Sequence, residues 1–247
     1  MKRSDQVEVV NMDSFDMFIR YVANFSQAIT VYRGVTHEDY DLRPKVGRLE
    51  KKRKNESLIN LEQRILRRFE ERAIPYLGIF PGEDEWEWMA IGQHHGLPTR
   101  MLDWSRNPLV AAYFAVEREI LKHELKKYSG NSAIYAFKGK TVISKGNLFD
   151  INTKYKNGPF KIKKTEKFVP AHLDKRITAQ SGIFTIHHDP TIKYPNEIEP
   201  LFKLTIPSNQ RKIWKKRLHS LGINRASLFP DLDNLCSHIE WLCSKSY

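Results

Sequence analysis

The sequence predicts an α+β domain with a mixed or antiparallel central sheet flanked by helices. Three observations predict it. Apolar residues recur at helical spacing in long segments, mainly toward the two ends of the chain. Short runs rich in β-branched and aromatic residues lie mostly between them. Strands and helices do not alternate as a βαβ repeat requires.

The helices are justified in order. Residues 14–28 place Phe15, Phe18, Ile19, Val22 and Phe25 on one face behind Asp13 as a cap. Residues 57–73 open at Ser57 and carry Leu58, Leu61, Ile65, Leu66 and Phe69. Residues 84–94 start from Asp84 and turn Trp88 and Ile91 inward. Asn107-Pro108 opens a helix through Lys127, because proline suits the first turn. Its stripe is Leu109, Ala112, Tyr113, Val116, Ile120 and Leu121, with Tyr113 facing inward. Segments 208–219 and 231–245 close the chain as helices. Strands are expected at 30–33, 132–137, 141–143, 182–187 and 201–206, while 101–104 is ambiguous.

With 247 residues, the chain is long enough to bury a sizeable core, and it is read as one domain spanning 1–247. Lys-rich stretches near 42–56 and 144–172 are expected to be mobile loops. No apolar run reaches the roughly 18 residues that span a bilayer, and the N-terminus lacks the core of a signal peptide. No membrane association is therefore expected. Cys236 and Cys243 would lie about 10.5 Å apart along one helix, too far to bridge. The expectation is a reduced, cytoplasmic protein.

The net charge is +12, and the excess is clustered. One cluster spans Arg43 to Lys54, a second Lys154 to Lys167, and a third Arg211 to Arg217. Such patches suit phosphates, whether of a nucleotide or of a nucleic acid, and equally suit a solvated surface. Interleaved aromatics, the mark of a single-strand platform, are sparse in all three.

The chemistry concentrates in AIGQHHGLPTRMLDWSRNPLVAAYFAV, residues 90–116. Gln93, His94, Thr99, Arg100, Asp103 and Ser105 crowd a short turn-rich run before a rigid apolar helix. Sites are often built this way. The plainer account is a helix cap and a buried Arg100–Asp103 ion pair. Arg33, at a strand end beside Gly34, could fork a phosphate while the glycine lets backbone approach the ligand. It could equally pair with Asp103. Gln180 and Arg176 precede a later strand, where Gln180 could be a turn residue satisfied by backbone. Familiar motifs are missing. Gly139-Lys140-Thr141 ends like a phosphate loop, but Ile134 stands where its first glycine belongs. His94-His95 and His187-His188 are adjacent pairs whose rings diverge, so no metal site is expected.

The block QHHGLPTRMLDWSRNPLVAAYFA resembles the signature of the FRG domain, together with Tyr32-Arg33-Gly34. LRPKVGR at 42–48, KRITAQSGIF at 175–184 and LGINRASLFPDLDNL at 221–235 extend the resemblance to roughly residues 10–240. In outline the chain is also similar to ADP-ribosyltransferases. These carry an early aromatic-Arg-Gly strand, a central Ser/Thr and a late glutamate. That resemblance implies NAD as substrate, with Tyr32, Arg33 and Gly34 holding its phosphate or ribose side. Thr99 or Ser105 would brace the nicotinamide. Gln180 stands where the glutamate would be. It cannot supply charge, so Asp103 would, or His94 would act as acid and base. Gln93, Arg100 and Arg176 complete the expected binding set. Three readings stay open: a nucleotide-using transferase-type enzyme (such as a toxin or phage-defence effector), a non-catalytic nucleotide or nucleic-acid binding module, and a scaffold.

Overall fold

The computed structural model describes residues 7–25, 30–49, 56–78, 80–139, 142–144, 157–170, 175–195, 198 and 201–244. They form an α+β fold around a mixed eight-stranded sheet. The strands are β1 (Val7–Asn11), β2 (Thr30–Val35), β3 (Met101–Ser105), β4 (Ser132–Lys138), β5 (Val142–Ser144), β6 (Glu166–Val169), β7 (Gly182–Ile186) and β8 (Leu201–Ile206), in the order β1-β8-β4-β2-β3-β7-β6-β5. The outer pairs β1·β8 and β5·β6 are parallel, and the rest are antiparallel. Helices are α1 (Phe15–Ala23), α2 (Leu58–Ala73), α3 (Glu85–His94), α4 (Pro108–Val116), α5 (Lys175–Ala179), α6 (Arg211–Ser220), α7 (Arg225–Leu228) and α8 (Leu232–Ser244).

Caps explain where helices begin. Ser57, Asp84 and Asn107 each accept a backbone N–H of the first turn. At α1 the cap is Ser14, not Asp13, because its side chain accepts from the Met17 N–H. Helix α4 stops at Val116, eleven residues before Lys127. The 3-10 turn Glu124–Lys126 follows, and Leu121 is exposed. The ambiguous 101–104 is a strand. Strands β1 and β6 and helices α5 and α7 carried no clear periodic signal. Glu166–Val169 puts a strand inside the stretch expected to be a mobile loop, and Val46–Arg48 is a 3-10 turn docked through fully buried Val46. Residues 50–55, 145–156 and 171–172 of those stretches lie outside the described residues.

The register divides the core. Tyr32 pairs with Ser105, and Met101 and Asp103 share the Ser105 face by strand alternation. On this face α1, α4 and α6 cover β2, β4 and β8, burying Phe18, Tyr32, Ile134, Leu204 and Trp214. On the same face α3 covers β3, β6 and β7, burying Trp86, Met89, Met101, Phe168 and Phe184. The reverse face buries Val31, Leu102, Trp104, Tyr135 and Phe137 under loop residues such as Leu42 and Ile198. Two helical layers thus stand side by side on one sheet face, with Asp103 in the gap between them. Among the described residues no helix is long and apolar enough to cross a membrane.

Gly34 sets how closely α4 approaches the sheet. A Cβ there would lie 1.9 Å from the Ala111 carbonyl oxygen and 2.6 Å from the Ala115 nitrogen. The glycine is required by helix packing, whatever a ligand demands. Gly34→Ala is therefore expected to destabilise by at least the ~1–3 kcal/mol typical of overpacking, since rigid backbone must move. Chemical unfolding measures it, and an unchanged midpoint would contradict this packing.

Candidate functional site

Strands β2 and β3 share one bridge, Tyr32↔Ser105, and then part. Elsewhere adjacent strands hold their ladder over three to six residue pairs. Arg33 spans the opening. Its Nη1 donates to the Asp103 carbonyl at 2.6 Å and lies 3.6 Å from the Asp103 carboxylate. A side chain thus supplies a contact that a ladder would make with backbone. Burial lowers the Arg33 guanidinium from its ordinary value, Asp103 opposes this, and the nearby Arg48 lowers it further. It stays charged.

The opening is a cleft of about 520 Å³, within the size range of ligand pockets. It brings together Tyr32, Arg33, Gly34, Gln93, His94, Asp103, Ser105, Arg176 and Gln180 of the expected residues. Helix α3 contributes Gln93 and His94 from its C-terminal end. Helix α4 contributes Ala111 and Phe114, so Tyr113 is the aromatic that turns into the core. The Asp103 side chain is half exposed there. It is positioned by relay: Thr99 Oγ1 donates to Gln93 Oε1 at 2.6 Å, and Gln93 Nε2 donates to Asp103 Oδ2 at 2.8 Å. Thr99 is buried and supports the site from behind, its hydroxyl also accepting the Met101 N–H.

Other residues have structural partners. Arg100 lies outside the cleft. It is buried against Glu62, with contacts at 2.9 Å from both Nε and Nη2, and stacks over Phe160. The Arg100–Asp103 pair is replaced by Arg100–Glu62, which no local spacing reveals across 38 residues. Ser105 donates to the Gln180 carbonyl and accepts the Asn107 N–H, tying β3 to the α4 cap. Gln180 gives its side-chain N–H to the Leu228 carbonyl at 3.1 Å. Arg176 lies over the Phe229 ring at 4.9 Å. Tyr32 is almost fully buried, which pushes its hydroxyl up to about 12 and keeps it neutral.

Sequence reading had not placed Lys45, Arg48, Tyr40, Phe114 and Phe229 in the site. Lys45 and Arg48 belong to LRPKVGR, so the signal was a short basic block. Lys45 Nζ donates to the Gly96 carbonyl at 2.6 Å, binding this turn to the cleft rim. Four cationic residues, Arg33, Lys45, Arg48 and Arg176, thus line the cleft with one carboxylate, Asp103. Among the described residues no cluster of three or more His, Cys, Asp or Glu could hold a metal ion.

The FRG domain family model matches residues 28–124. An FRG domain is therefore present in this chain. The matched stretch carries Arg33, the 93–105 block and α4. Arg176, Gln180 and Phe229 lie beyond it. No curated protein and no solved structure matches the chain.

Two stability outcomes follow. Glu62→Ala leaves the Arg100 guanidinium buried without its acid, and is expected to lose about 3–5 kcal/mol. Asp103→Asn, at a half-exposed position that keeps an oxygen acceptor, should change stability by less than about 1 kcal/mol. Urea unfolding of both variants checks this, and the reverse order would restore Asp103 as the partner of Arg100. Fully buried His187 adds a pH dependence. Burial, with help from the Arg33 and Arg100 charges, depresses its imidazole to about 3 from 6.5. The unfolded chain takes up this proton first as pH falls. Stability should then drop below pH 6.5 by up to about 1.4 kcal/mol per unit. The slope should flatten in His187→Gln.

Proposed function

We propose that the cleft binds a phosphate-bearing nucleotide, with NAD the first candidate, and that it cleaves or transfers from it. One observation carries the reading: the parted β2 and β3 strands place Arg33, Lys45, Arg48 and Arg176 around a single half-exposed carboxylate. Cations suit a pyrophosphate. Phe114 and Phe229 supply apolar wall for a planar ring. Asp103, held by Gln93, supplies the negative charge that Gln180 lacks.

With NAD, the glycosidic bond to nicotinamide breaks and the base departs with the electron pair. The carboxylate of Asp103 stabilises the positive charge developing on the ribose. Water or an acceptor hydroxyl then adds at that carbon and loses a proton, for which His94 is the nearby imidazole. Consumption of NAD would fit a toxin or defence effector. A second reading, a non-catalytic nucleotide-binding module, is favoured by Gln180, whose amide is committed to the Leu228 carbonyl.

Nicotinamide release and nucleotide-induced thermal shifts test both. Arg33→Ala should lower affinity about tenfold to over a hundredfold, the loss of a charged hydrogen bond. Arg48→Gln, at an exposed position, should weaken binding without unfolding the protein. Asp103→Asn should retain binding and lose turnover. Binding without release by the wild type would leave the module reading. Neither binding nor release, across a panel of nucleotides and acceptors, would end both.

A further inference from the structure

Helix α4 also borders a second concavity. Tyr113, Val116 and Glu117 face two cavities beside α6 and α8, of about 260 and 560 Å³. The cavities share Glu117, Arg118, Lys215 and Trp241, so they form one groove. The smaller part is aromatic. His219, His238 and Trp241 cluster with ring centroids 5.2–5.9 Å apart. The larger part is basic: Arg211, Lys212, Lys215 and Lys216 line it, with Arg118, which pairs with Glu124 at 2.8 Å, and one further acid, Glu119. Lys212, Lys215 and Lys216 stand at i, i+3 and i+4 on α6, on one helix face. Lys212 and Lys216 are exposed, and among the described residues neither forms an ion pair. The acid between the two parts is already neutralised: Glu117 pairs with Arg225 at 2.6 Å. Lys215 donates to the Glu117 carbonyl at 2.7 Å and lies over the Trp241 ring at 5.3 Å.

We propose that this groove binds single-stranded nucleic acid, with phosphates along the Lys212–Lys216 face and a base beside Trp241. The third basic cluster has few aromatics in its own sequence. Folding brings it Trp241 from α8, some 25 residues on, and so joins a cationic trough to an aromatic platform. Both halves of a nucleotide unit are met, and the open basic trough suits a chain of them. A duplex presents phosphates but hides its base faces from a recessed ring. An acidic peptide would use the lysines and leave the aromatic part idle.

Fluorescence anisotropy of labelled oligo-dT and oligo-U, titrated across salt, tests the proposal. Binding of either strand is expected, and their ratio shows which sugar is preferred. Lys212→Gln/Lys216→Gln should weaken it tenfold or more and flatten the salt slope by roughly 1.4, at roughly 0.7 per phosphate contact. Trp241→Leu should weaken it about tenfold or more through lost stacking. Thermal melting accompanies each variant, and the exposed lysine pair decides if Trp241→Leu unfolds. No binding by wild type, equal binding by the lysine variant, tighter binding of duplex, or displacement by polyglutamate at matched charge would overturn the proposal.

Discussion

The architecture turns on the parting of β2 from β3 and on the Arg33 side chain that spans it. A sheet that loses its ladder in mid-span exposes backbone groups that must find partners. Here Arg33 meets the Asp103 carbonyl. One guanidinium therefore closes the sheet and charges the cleft. The arrangement places a polar opening between two apolar cores. Each core packs its own half of the sheet.

Helix α4 makes that division sharp. Its residues are apolar on nearly every side, so it is buried from both flanks and not laid on the surface. Gly34 lets it sit against β2, and Asn107 and Ser105 hold its start. The same helix supplies Phe114 to the cleft and Tyr113 to the neighbouring groove. A rigid, uncharged element separating two basic concavities limits how far a change in one can reach the other through packing alone. One link runs just past α7, where Phe229 lies under both Arg176 and Arg225, and another through Arg211, which donates to the Thr36 carbonyl at 3.2 Å.

Much of this was legible before folding. The caps at Ser57, Asp84 and Asn107 and the strands from 132 and 201 follow from local chemistry. The polar crowding of 90–116 and the position of Arg33 pointed to one site; Arg33, Gln93, His94, Asp103 and Ser105 line one cleft, while Arg100 turns away to Glu62. What escaped was non-local. β1 is half-exposed edge strand without clean alternation, and it acquires its identity by pairing with β8 almost two hundred residues on. Arg100 looked like the partner of Asp103 because the two are close in sequence. The acid it uses is on α2, facing inward at a helical position where Glu62 reads as an ordinary surface charge. Gln180 stands before a strand, yet its amide is spent on the Leu228 carbonyl, which only tertiary contact reveals. Lys45 and Arg48 lay in plain sight within a basic run, and nothing local separated them from their solvated neighbours.

The balance of charge in the cleft is the strongest constraint on its chemistry. Arg33, Lys45, Arg48 and Arg176 outnumber Asp103, so the cleft is electropositive and suits an anion. Asp103 is the one carboxylate among them. It gains most when a ligand brings negative charge to the cations and leaves positive charge to develop opposite Asp103. A phosphate-bearing substrate that forms a cationic centre satisfies both demands at once. A simple anion satisfies only the first, and would leave unexplained why Thr99 and Gln93 are committed to fixing the orientation of a single carboxylate. That relay distinguishes a site that orders a charge from a patch that merely attracts one.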